Sequence, residues 1–120
     1  MGKISEFTKE RSRLNDLLTK YSSIETKKFL NLDSSVYEEG ALPAKTKELL
    51  GLVSSLVLRC DDCVLYHLDR CLSLEITAKE IMEALNIGLI VGGSITIPHI
   101  RRAIDALDQE LSSQKKTTKK

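Results

Sequence analysis

Apolar residues recur at Phe7, Leu14, Leu17, Leu18, Tyr21 and Ile24, spaced by three, four and seven with charged residues between them. That spacing predicts one amphipathic helix from about Ile4 to Phe29, with a face that wants a partner. Asn31 to Gly40 reads as a break holding a short helical turn at Ser34 to Glu39, stopped by Gly40. Pro43 suits the first turn of a second long helix. Leu49, Leu50, Val53, Leu56 and Val57 give that helix a wide apolar face to about Arg59.

A third helix is expected over Cys60 to Leu74, with Val64, Leu65, Leu68 and Leu72 as core contacts and Asp61 or Asp62 as cap. Thr77-Ala78-Lys79-Glu80 is a capping box, so a helix from about Ala78 to Val91 follows, burying Ile81, Ala84, Leu85, Gly88 and Leu89. Gly92-Gly93 ends it. Ser94 is positioned to cap a last helix whose seam is Ile97, Ile100, Ala103, Ile104 and Leu107, running to about Leu111. No stretch alternates with period two between turn signals, so the fold class is all-α, with about five to six helices. The chain divides into an N-terminal amphipathic helix and linker (1–35), a helical core (36–111) and a disordered Lys-rich tail (112–120).

Composition narrows the function. With 120 residues there is room for one domain, and its core is aliphatic because Trp is absent and Tyr and Phe total five. So few aromatics argue against single-stranded nucleic-acid binding by stacking. Formal net charge is +1, and Lys115, Lys116, Lys119 and Lys120 lie in the last six positions, leaving a mildly acidic body unsuited to phosphate backbones. The first twenty residues hold eight charges and no apolar signal core, and Ile87 to Pro98 is too short and too interrupted to span a bilayer. A cytoplasmic protein with no nucleic-acid or membrane partner is expected. Three cysteines in a reducing compartment are redox, metal or core residues.

The chemistry is concentrated in Cys60-Asp61-Asp62-Cys63-Val64-Leu65-Tyr66-His67, a C-x-x-C with a histidine four residues on. At 100° per residue Cys60, Cys63, His67 and Cys71 share one stripe of a helix. Cys60 and Cys71 would be about 16 Å apart along that helix, too far to share a zinc ion bound at about 2.3 Å. A partial site from Cys63, His67 and a remote ligand is the weaker rival, and no metal or other cofactor is expected. A dithiol fits better: positions three apart have Cα atoms about 5 Å apart, within disulfide range. His67 is one turn beyond Cys63 and about 10.5 Å along the axis from Cys60, so it serves Cys63 as base. A helix start lowers a thiol's pKa, whereas Asp61 and Asp62 raise it. Cys71 is read as a core thiol, and His99 is left unassigned.

Gly40-Ala41-Leu42-Pro43-Ala44-Lys45-Thr46-Lys47-Glu48-Leu49-Leu50, Cys60 to Cys63 with His67, Thr77 to Ile81 and Gly92-Gly93 together resemble the carboxymuconolactone decarboxylase family, and within it the alkyl hydroperoxidase branch. The resemblance spans roughly Val36 to Leu111. It implies a proton relay of Glu48 and His67, through water, to a reacting Cys63, with Cys60 resolving. It also implies a homo-oligomer, trimer or hexamer. Two departures stand out: Asp62 lies where some hydroperoxidases carry a second histidine, and Leu74-Glu75-Ile76 replaces a glycine common before the capping-box Thr.

The expected function is a thiol-dependent peroxidase or disulfide oxidoreductase, taking a peroxide or disulfide as substrate and an external dithiol or redox protein as reductant. The alternatives are a carboxymuconolactone decarboxylase-like lyase using Glu48 and His67 without the thiols, and a non-enzymatic helical assembly protein.

Overall fold

The structure, a computed structural model, describes residues 2–118. Six α-helices follow one another: α1 (Lys3–Tyr21), α2 (Ile24–Val36), α3 (Ala44–Val57), α4 (Asp61–Ser73), α5 (Ala78–Gly92) and α6 (Ile97–Thr118), with a 3-10 turn at Ser94–Thr96 before the last. The fold is all-α, with no strand among the described residues. Helix α3 packs on α4 and α5, and α1 and α6 also pack on α4. The core gathers Leu52 and Leu56 of α3, Val64, Leu68 and Cys71 of α4, Ile81 and Leu85 of α5, and Ile100, Ala103 and Ala106 of α6. Each large aliphatic side chain buried there contributes about 1.5–3 kcal/mol.

The N-terminal region departs from its expected form. It is two helices rather than one, because Ser22 and Ser23 are extended and each satisfies a helix end. Ser22 Oγ donates to the Thr19 carbonyl (3.1 Å), and Ser23 Oγ accepts the Thr26 N–H (3.4 Å). Helix α2 then runs through the expected break to Val36. Helix α1 is part of the packed body: Ile4 is buried, and Lys3 pairs with Asp105 of α6.

Other boundaries shift for identifiable reasons. Cys60, rather than either aspartate, is the N-cap of α4, its sulfur accepting the Cys63 N–H at 3.3 Å. Ser94 opens the 3-10 turn instead of capping α6. Helix α6 continues past Leu111 to Thr118, since no glycine or proline interrupts it and the Gln and Lys residues beyond are good helix formers. Positions 119–120 of the expected tail lie outside the described residues. The Thr77 capping box forms as read, with both reciprocal hydrogen bonds present.

Candidate functional site

Helix α3 buries a face shifted from the one its leucines and valines suggest: Leu56 is buried and Leu49 packs against the core as expected, but the centre of the buried face lies elsewhere. The inward positions are Glu48, Gly51, Leu52, Ser55 and Leu56, while Leu50 is 54% exposed. Small residues make this rotation favourable. A Cβ on Gly51 would stand 2.6 Å from His67 Cε1 and 2.7 Å from the Tyr37 hydroxyl, so only glycine admits the rings of His67 and Tyr37 this close to the α3 backbone.

The turn from α3 to α4 completes the approach. Arg59 takes a left-handed conformation (φ 61°), and the Cys60 N–H donates to the Ser55 carbonyl at 3.0 Å, folding α4 back along α3. His67 Nδ1 consequently lies 2.8 Å from Glu48 Oε2, both side chains being buried. A carboxylate only accepts, so Nδ1 carries the proton and donates it, leaving Nε2 as the acceptor. Arg70 Nε stands 3.7 Å from the other oxygen, Glu48 Oε1. Lys47, the residue before Glu48, turns away from the site and donates to the carbonyls of Val36 (2.8 Å) and Glu38 (2.6 Å) at the end of α2.

His67 is flanked by two tyrosines. Tyr66 meets its ring edge-on with centroids 5.1 Å apart, and Tyr37 is tilted over it at 5.4 Å with its hydroxyl 3.5 Å from Nε2. The Arg11 guanidinium of α1 lies over the Tyr66 ring at 4.3 Å. A cleft of about 760 Å³ opens between α1, the end of α2 and the start of α4, and Cys63, His67, Tyr37 and Tyr66 all line it. Glu48 faces a second cleft of about 550 Å³, which shares Arg11, Tyr37 and Tyr66 with the first.

Along α4 the cysteine and histidine stripe runs from surface to core. Cys63 is exposed, Cys60 half-buried and Cys71 fully buried, and all three are free thiols. The hydrogen bond with Cys60 is the largest influence on the Cys63 thiol. Together with partial burial and the charges of Cys60 and Asp62, it pushes the pKa up to about 11, against the lowering effect of a backbone hydrogen bond. Burial pushes Cys71 up to about 12, with the Glu48 charge adding to it. Asp61 is drawn off to α6, bonded to His99 Nδ1 (2.7 Å) and Arg102 Nε (2.8 Å). Among the described residues no three His, Cys, Asp or Glu side chains gather so as to hold a metal ion, and no helix is long and apolar enough to cross a membrane.

Glu48, Cys60, Cys63 and His67 are therefore brought to one region, and Cys71 lies beneath it in the core. Sequence reasoning missed Tyr37, Gly51, Arg70 and the partners of Asp61. Gly51 carried a signal, since a glycine inside an apolar helix marks a close approach. Tyr37 carried none, because it ends a helix whose extent the pattern did not show.

The model of the carboxymuconolactone decarboxylase family matches residues 26–106. A protein of Thermotoga maritima, solved by crystallography, is 50% identical and superposes with a TM-score of 0.89 over 92% of this chain and 97% of its own. A second structure of that protein, TM-score 0.86, covers 96% of this chain and 97% of its own, and describes it as a member of the same family with a possible part in the antioxidative response. A family member from Legionella pneumophila is 25% identical with a TM-score of 0.82, covering 89% of this chain and 96% of its own. An uncharacterized protein of Cupriavidus necator is 30% identical over 80 residues, 67% of this chain and 71% of its own.

Proposed function

The chain belongs to the carboxymuconolactone decarboxylase family, and from that footing we propose that it is a thiol-dependent peroxidase or disulfide oxidoreductase of the alkyl hydroperoxidase type. Its reacting group is the Cys60/Cys63 pair. The observation that carries this reading is the buried Glu48–His67 hydrogen bond beside the cleft that Cys63 and His67 share. A thiol held near pKa 11 is almost wholly protonated at neutral pH, so it reacts only where a base takes its proton. His67 Nε2 is that base, and Glu48 stabilises the imidazolium formed. Cys63 then takes an oxygen from peroxide to become a sulfenic acid, Cys60 displaces water to close the disulfide, and an external dithiol reopens it. With a disulfide substrate, Cys63 attacks sulfur instead and Cys60 resolves the mixed disulfide.

Mass spectrometry of alkylated peptides before and after peroxide tests this. Cys60→Ser is expected to trap a sulfenate on Cys63, and Cys63→Ser to abolish the reaction. Formation of a sulfenate on Cys60 in the Cys63→Ser protein at the wild-type rate would reverse the assignment. Slow reaction at every cysteine would return the site to Glu48 and His67 acting alone, as in a decarboxylase-like lyase.

A further inference from the structure

Building on the thiol peroxidase reading above, we propose that Tyr37 is a catalytic acid, protonating the oxygen that leaves when Cys63 takes the terminal oxygen of a hydroperoxide. Tyr37 lines the same cleft as Cys63 and His67, and its hydroxyl is 3.5 Å from His67 Nε2, the one ring nitrogen that Glu48 leaves unengaged. It is held there from two sides. Lys47 binds the carbonyls of both its neighbours, Val36 and Glu38, and Gly51 provides the space that its hydroxyl and the imidazole occupy. Tyr66, the other hydroxyl of the cleft, has its ring under Arg11 and meets His67 edge-on.

The protons and electrons balance without a further reactant. Cys63 gives its thiol proton to His67 Nε2. Its sulfur electron pair forms the S–O bond to the terminal oxygen, the O–O bond breaks, and the departing alkoxide takes the Tyr37 proton to become the alcohol. The phenolate then recovers a proton from the imidazolium. Thiol and hydroperoxide become sulfenic acid and alcohol, sulfur losing two electrons and the O–O bond gaining them. Burial, with the charges of Glu48 and Asp33 adding to it, pushes the Tyr37 phenol upward, so it is protonated when the alkoxide needs it.

An acid matters only when the leaving group is basic, which gives the decisive comparison. Single-turnover oxidation of Cys63 is measured in wild type and Tyr37→Phe with tert-butyl hydroperoxide, which expels an alkoxide, and with peracetic acid, which expels a carboxylate. Tyr37→Phe is expected to slow the first about thirtyfold or more and the second about threefold at most. 3-Fluorotyrosine at position 37, nearly the same shape with a more acidic hydroxyl, is expected to retain the tert-butyl hydroperoxide rate that phenylalanine loses. Equal slowing of both peroxides would reduce Tyr37 to a packing role, and unchanged rates would remove it altogether. Either result overturns the assignment while leaving the thiol peroxidase intact. A wild-type Cys63 inert to both peroxides would overturn the peroxidase itself, and the acid with it.

Discussion

His99 Nδ1 lies 2.7 Å from Asp61 Oδ1, joining the start of α6 to the first residue of α4, directly beside Cys60. Arg102 Nε holds the second oxygen at 2.8 Å. Partial burial pushes the Asp61 carboxyl up, but the hydrogen bonds from His99 and Arg102 outweigh it and hold the carboxyl below its usual range. Of the two carboxylates between Cys60 and Cys63, Asp61 is thus paired with α6, and Asp62 is the one that acts on Cys63. Because the folded pKa is depressed, the stabilisation is present above the unfolded value near pH 4 and is lost as pH falls through the folded one. Asp61→Asn is expected to cost about 1 kcal/mol in thermal unfolding at pH 7, with the gap to wild type closing below pH 4.

Cys63 should show its raised pKa directly. Without substrate, its alkylation by iodoacetamide is expected to climb about tenfold per pH unit from neutrality and level only near pH 11. Cys60→Ala removes the largest cause and should bring that midpoint down toward the ordinary thiol value. Asp62→Asn should move it the same way by a smaller amount.

Glu48→Gln keeps the shape of the buried side chain and removes its charge, so the imidazolium formed when His67 takes a proton loses its partner. Peroxide reaction at Cys63 is expected to fall about a hundredfold in stopped-flow measurements. Rates equal to wild type would leave Glu48 as a packing residue.

Glu75 adopts a left-handed conformation (φ 63°) in the turn closing α4, with the Ile76 N–H donating to the Cys71 carbonyl. That is the position glycine prefers. Glu75→Gly should raise the unfolding free energy by about 1 kcal/mol, measured in urea, without altering Cys63 reactivity.

Apolar surface remains uncovered in the single chain. Helix α2 buries no residue and exposes Ile24, Phe29, Leu32 and Val36, and α5 exposes Ile87, Ile90 and Val91. Patches of this kind mark association sites. A homo-oligomer, trimer or hexamer, is expected in sedimentation at micromolar concentration, and a monodisperse monomer would contradict it.

What the sequence by itself determined was local. Helical periodicity, the Thr77–Glu80 capping box and the Gly92-Gly93 stop depend on neighbours a turn apart, and α3, α4 and α5 lie close to where the pattern put them, whereas the N-terminal helix divides in two and α6 runs on. The C-x-x-C with His67 was legible for the same reason, since Cys63 and His67 lie one turn apart on α4 and Cys60 caps its start. Tertiary structure decided which face of α3 points inward. Counting apolar side chains favours Leu50, yet the Gly51–Ser55 side packs against α4 because close helix approach depends on small residues, and it takes Glu48 into the interior with it. It also joined residues with no common period. Tyr37 reaches His67 because Lys47 anchors the end of α2, and Asp61 meets His99 and Arg102 because α6 packs on α4. Such contacts follow from how helices cross, and a one-dimensional pattern does not carry crossing geometry.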